Sequence, residues 1–190
     1  MPDYKVYTSE DAPERSRQIL EQTKKNFGFV PSLFGVLAES PSALEGYASI
    51  GNAFSKSSLS PVEQQVVLLA TSFENGCTYC VAAHSAVAKM VKAGDEVVQA
   101  LRNGEPIPDE RLEALRVFTR SIVEKRGWLA QEDIRSFLAA GFNKAQVLEV
   151  ITGVAQKTFS NTTNHIAHTP LDEAFQPFSW EAPKKDVAAD

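Results

Sequence analysis

Cysteine is almost missing from this chain: the 190 residues hold two, Cys77 and Cys80. That excludes a framework of structural disulfides. No second Cys-x-x-Cys stands elsewhere to close a four-ligand zinc site, and histidine is limited to His84, His165 and His168. No apolar run approaches the ~18–20 residues of a membrane span. No cluster of Lys and Arg is present, and the net charge of −5 with a pI near 5.3 argues against a nucleic-acid surface. The opening residues, Met1-Pro2-Asp3-Tyr4-Lys5, lack the basic and apolar regions of a secretory signal. A cytoplasmic protein with reduced thiols is expected, free of metal, cofactor, nucleic acid and membrane.

No stretch alternates apolar and polar residues with a period of two, so sheet is not expected either. What is there is helical. Pro13 and Glu14 open a first helix that Gly28 and Pro31 close, and Ser32 is placed to cap a short apolar one. Ser40-Pro41 opens the next, with Leu44, Tyr47, Ile50, Gly51 and Phe54 at three- and four-residue spacing. Ser60-Pro61-Val62-Glu63 combines an N-cap serine, proline at the first helical position and glutamate at the third. Val62, Val66, Leu69, Ala70 and Phe73 form a core stripe. Further helices are predicted over Asp95–Arg102, from Asp109 to Gly127, and over Gln131–Ala140. A long one follows Asn143, capped with Gln146 and stopped by Pro170. Length and pattern predict one all-α bundle over residues 1–190, with about eight helices, a motif region at 59–91 and a C-terminal arm at about 170–190. The arm's Phe175, Phe178 and Trp180 are expected to dock on the body or a neighbour. Together with the wide apolar face of the Asn143 helix, they predict a homo-oligomer.

The chemistry concentrates in Gly76-Cys77-Thr78-Tyr79-Cys80-Val81-Ala82-Ala83-His84. Asn75-Gly76 reads as a helix stop, and a new helix starts over the cysteines. At ~100° per residue, Cys80 falls about 60° back from Cys77 and His84 about 40° on from Cys80, so one face carries all three. Two such cysteines can close a small disulfide and reopen it. The helix N-terminus favours a thiolate, and His84 can take or return a proton. Two assignments of the attacking sulfur follow. Position at the helix start favours Cys77 as the more exposed and dipole-stabilised thiolate, whereas proximity to His84 favours Cys80. Structural zinc and an inert buried pair are the plainer readings; for zinc, His165 and His168 would have to fold against the cysteines.

Leu59-Ser60-Pro61-Val62-Glu63, then Asn75-Gly76-Cys77-Thr78-Tyr79-Cys80 and His84, resemble the core of the carboxymuconolactone decarboxylase and alkylhydroperoxidase D superfamily. The closest likeness is to its uncharacterised peroxidase-related branch, which the run Asn164-His165-Ile166-Ala167-His168-Thr169-Pro170 also resembles. The resemblance implies an all-helical fold assembled as trimers or hexamers. It implies reduction of hydrogen peroxide or organic hydroperoxides, with electrons returned by an external dithiol protein. In that scheme Cys80 attacks the peroxide and Cys77 resolves it.

Two positions depart from the pattern. The glutamate expected twelve residues before the first cysteine is Gln65, and the histidine expected just before the second is Tyr79. An amide can orient His84 but cannot accept a proton, and a phenol with a pKa near 10 is a poor relay at neutral pH. Glu63 and Glu74 lie about 160–180° around the helix from Gln65, where capping or solvation is their expected role. The candidate site is therefore Cys80, Cys77, His84, Gln65 and Tyr79. Besides thiol peroxidase, two other functions fit the sequence: a lactone decarboxylase, whose reaction needs no cysteines, and a non-catalytic dithiol sensor or binding module.

Overall fold

The computed structural model describes residues 4–183, and among them there are helices and no strands. The order is α1 (Glu14–Phe27), α2 (Ser32–Leu37), α3 (Pro41–Ser55), α4 (Pro61–Glu74), α5 (Thr78–Met90), α6 (Asp95–Asn103), α7 (Glu110–Glu124), α8 (Gln131–Ala139), α9 (Lys144–Ala167) and a 3₁₀ turn (Glu173–Phe178). Eight of these helices have seven residues or more. No helix among the described residues is long and apolar enough to cross a membrane.

Local chemistry sets most boundaries. The Ser60 hydroxyl accepts from the Glu63 N–H while the Glu63 carboxylate accepts from the Ser60 N–H, and Asn143 with Gln146 repeats the exchange at α9. Ser40 and Asp109 cap α3 and α7 one way, their side-chain oxygens accepting from the Ala43 and Leu112 N–H groups. Two expectations need correction. Ser32 does not cap α2: it is the first helical residue, and Pro31 precedes it at the N-cap without a side-chain donor or acceptor. The acceptor comes from 140 residues away, where the Asp172 carboxylate takes the Ser32 N–H at 3.0 Å and its hydroxyl at 2.7 Å. Nor does Pro170 end α9; the helix closes earlier, at Ala167, where His168 turns left-handed at φ 48°.

Of the core stripe on α4, Val66, Leu69 and Ala70 are buried and pack with Val81 of α5, Leu115 and Phe118 of α7, and Val150 of α9, while Val62 and Phe73 are half-buried. Phe137 stacks between Phe118 and Phe142, with ring centroids 4.1 Å and 4.3 Å away. At Gly153 a Cβ would stand 2.7 Å from Phe54 and from Val67, so only glycine lets α9 approach α3 and α4 this closely. That approach carries the second half of α9 onto the cysteines.

The C-terminal arm, as far as it is described, docks on this chain's own body. Phe175 is buried, Trp180 packs on Phe73, and the indole N–H donates to the Arg102 carbonyl at 2.8 Å. Arg102 in turn donates to the carbonyls of Phe178 and Ser179. Residues 184–190 of that arm lie outside the described residues. On α9, Val150 faces the core, while Leu148 and Ile151 stay exposed.

Candidate functional site

Between α4 and α5 only three residues turn the chain. Asn75 ends α4, Gly76 takes φ 65°, and Cys77 stands at the N-cap of α5. The turn is closed by N–H bonds from Gly76 to the Phe73 carbonyl and from Cys77 to the Ser72 carbonyl, both 2.9 Å. The Asn75 amide pins it to α9 by donating to Asn161 Oδ1 at 2.8 Å. Cys77 and Cys80 thus come within 3.5 Å of each other, unbonded.

Both cysteines are buried, each with 1% of its surface exposed. The expectation that Cys77 is the more exposed is therefore wrong, because α9 covers the start of α5. Cys80 is in the wall of a cavity of about 800 Å³, and Cys77 is not. Aromatic rings of Phe27, Phe34, Tyr47, Phe54 and Phe175 line much of the rest.

His84 lies one turn beyond Cys80 in the same cavity. Its Nδ1 meets Gln65 Oε1 at 3.0 Å, and its Nε2 meets Lys157 Nζ at 2.8 Å. An ammonium only donates, so Nε2 is the acceptor and the ring proton sits on Nδ1, shared with the Gln65 oxygen. Burial first, and the Lys157 charge second, hold the imidazole well below its usual range and keep it neutral. The structure thus joins Gln65 to His84, and joins His84 to a lysine.

Lys157 belongs to a polar row on α9 that sequence reasoning missed. Lys157, Ser160, Asn161 and Asn164 are all buried. Their three- and four-residue spacing on a helix read only for its apolar face was the available signal. Asn164 donates its amide to Cys80 Sγ at 3.2 Å and to Cys77 Sγ at 3.7 Å. Ser160 Oγ lies 3.7 Å from Cys80 Sγ.

These neighbours decide which sulfur carries charge. Burial opposes a Cys80 thiolate. The hydrogen bond from Cys77, the charge of Lys157 and the Ser160 hydroxyl 3.7 Å away outweigh it, so the Cys80 thiol falls well below its usual range. Cys77 goes the other way: its hydrogen bond to Cys80, its burial and the Cys80 charge all push its thiol up. The arrangement is one thiolate in a cavity wall with a thiol donating to it.

Tyr79 is not brought to the sulfurs by its hydroxyl. That group donates to Asp172 at 2.6 Å, and burial first, then this bond, push the phenol up. It ties α5 to the carboxylate that caps α2. Glu63 is a cap as expected but not solvated, since it also pairs with Arg111 at 2.9 Å. His165 and His168 are exposed. Among the described residues no group of three or more His, Cys, Asp or Glu side chains is placed to hold a metal ion.

Residues 40–119 match the profile of the Carboxymuconolactone decarboxylase family. The resemblance read from the cysteine segment is to this family. No curated protein matches the chain. Among solved structures, the alkylhydroperoxidase AhpD core of an uncharacterized peroxidase-related protein from Ralstonia eutropha JMP134 has a TM-score of 0.82 at 22% identity, covering 92% of this chain and 95% of that one. An uncharacterized peroxidase-related protein from Silicibacter sp. TM1040 gives 0.72 at 18%, covering 90% and 92%. The debrominase Bmp8, in complex with 2,3,4-tribromopyrrole, gives 0.79 at 15%, covering 94% and 96%. At these identities the likeness establishes a shared alkylhydroperoxidase D-like fold.

Proposed function

We propose that this protein is a dithiol peroxidase that reduces hydrogen peroxide or an organic hydroperoxide at Cys80 and resolves the product with Cys77. The observation that carries the reading is the asymmetry of the pair: only Cys80 lines the cavity, and Cys77 donates its hydrogen to it. The Cys80 thiolate attacks the terminal peroxide oxygen, the O–O bond breaks, and the departing oxygen takes a proton. Cys80 is left as a sulfenic acid. The Cys77 thiol then displaces water to form the disulfide, and an external dithiol protein returns the two electrons. Likeness to peroxidase-related folds supports this choice, whereas the lactone decarboxylase reading leaves the cysteine pair without a use.

One equivalent of peroxide should remove both thiols from the wild type. In Cys77→Ser it should leave a sulfenic acid on Cys80 that a sulfenate-selective reagent traps. Two free thiols in wild type after treatment overturn the reading.

The volume and aromatic lining of the cavity favour a second reading, reductive dehalogenation of a halogenated ring. Cys80 would accept the halogen from the ring carbon, a proton would replace it there, and Cys77 would expel halide as the disulfide forms. Halide release from a bromophenol by the reduced protein, with no thiol loss to peroxide, would favour this reading over the first.

A further inference from the structure

We propose that Lys157 is a catalytic residue of this site: its ammonium is the counter-ion of the Cys80 thiolate and the donor of the proton that the departing oxygen needs. The proposal rests on the dithiol reading of Cys80 and adds to it the acid that the candidate list lacked.

The geometry points first to the counter-ion. Lys157 has 1% of its surface exposed, yet none of the ion pairs among the described residues supplies it with a carboxylate. A buried ammonium without an anion is strongly unfavourable, and the usual escape is loss of the proton. Lys157 does the opposite. Burial pulls its pKa down, but the charge of Cys80, foremost among its neighbours, holds it above its usual range. The titratable groups facing it are Cys80 and His84 from α5, Cys77 at the start of α5, and Tyr47 from α3. Among them, Cys80 has its anionic form favoured. Thiolate and ammonium hold each other charged in a shared low-dielectric space.

The second half concerns the proton. His84 does not have a free nitrogen for the sulfur: Nδ1 is taken by Gln65 and Nε2 by Lys157. Its ring is also held neutral, so it is a poor acid. Lys157 lines the same cavity as Cys80, and the next buried polar side chain on α9, Ser160, lies 3.7 Å from Cys80 Sγ. Attack by the thiolate yields the sulfenic acid and an alkoxide; the ammonium protonates the alkoxide and becomes an amine. Condensation of the sulfenic acid with the Cys77 thiol releases water and changes no charge. When an external dithiol reduces the disulfide, Cys80 returns as a thiol and hands its proton to the Lys157 amine. The cycle closes without a carboxylate, which fits Gln65 in the position where the resemblance expects glutamate. His84 is a positioning residue, pinned by Gln65 and holding Lys157 by the hydrogen bond it accepts.

The test uses full-length protein carrying Cys77→Ser, so that one thiolate is observed. Its ultraviolet absorbance is followed against pH, with and without Lys157→Met. Loss of the cation should move the Cys80 transition upward by about 1–3 in pH. An unmoved transition overturns the counter-ion role, whether or not the protein reduces peroxide. In the Cys77-intact background, Lys157→Met should slow oxidation by tert-butyl hydroperoxide on the order of 10²-fold more than oxidation by peracetic acid, whose carboxylate departs without a proton. Both rates are compared at a pH where the thiolate is fully formed. Equal slowing of the two overturns the proton-donor role. If Lys157→Met does not fold, His84→Ala decides: a smaller shift of the thiolate transition than the 1–3 expected for loss of the cation upholds the assignment. A shift that large with Lys157 still in place gives the role to His84.

Discussion

Two clusters of buried side chains share this bundle and satisfy burial by different means. The first gathers Val66, Val67, Leu69, Leu115, Phe118, Phe137 and Val150, all apolar. The second gathers Leu20, Leu33, Leu44, Tyr47 and Phe175 with Cys77 and Cys80, and it is bordered by Lys157, Ser160, Asn161 and Asn164. Helix α9 runs through both, giving Val150 to one and its polar row to the other. The first cluster needs only volume filled, since its atoms are content with dispersion. In the second, each polar group needs a partner, and most partners lie far away in sequence. The frame is therefore fixed by packing and the site by a hydrogen-bonded network.

The largest effect that would break this contrast is expected in the apolar cluster. Phe137→Ala removes a ring stacked on both faces and should lower unfolding stability by about 3–5 kcal/mol in a denaturant titration. The protein that remains folded should keep the Cys80 titration of wild type. A shifted titration would mean that the two clusters are one unit.

A smaller loss is expected where the network ties the site to the frame. Asp172→Ala leaves the Ser32 N–H, the Ser32 hydroxyl and the Tyr79 hydroxyl without their shared acceptor. An expected loss of about 1–3 kcal/mol follows, because buried donors lose their partner. Asp172→Asn, which keeps an acceptor oxygen, should recover part of it. A loss as large as that of Phe137→Ala would show that the carboxylate, rather than packing, holds the frame.

The smallest effect is a pH dependence confined to the polar cluster. Folded His84 resists protonation, while the unfolded chain takes that proton below about pH 6.5. Folded Cys80 likewise refuses a proton that the unfolded thiol holds below its ordinary value of 9.0. Both groups have a lowered folded pKa, so the unfolded state binds more protons and stability falls as pH drops. His84 alone adds at most about 1.4 kcal/mol per pH unit below 6.5. Thermal unfolding across that range should show the slope, and His84→Gln should flatten it. An unchanged slope in His84→Gln would assign the dependence to other groups.

Much of the frame was legible because it is local. Ser60 with Glu63, Asn143 with Gln146, and glycine at residue 76 act within three or four residues, so the helix boundaries around the site could be read directly. That Cys80 and His84 share a face follows from helical spacing alone, whereas Cys77 stands at the N-cap and does not line the cavity. Ser32 misled because its capping partner is a carboxylate on the C-terminal arm, invisible to any local pattern. Cys77 misled because exposure at a helix start depends on what covers it, here the amides of α9.

The sequence by itself determined the helices, their caps and the presence of a reactive dithiol, since backbone propensity and periodicity act over one or two turns. Only the tertiary structure decided what the dithiol is. The neutral state of His84, the lysine 73 residues from it and the Asn164 amide on both sulfurs arise because Gly153 lets α9 close onto α4 and α5. Charge in a buried site depends on distance through space, and sequence separation carries no measure of that.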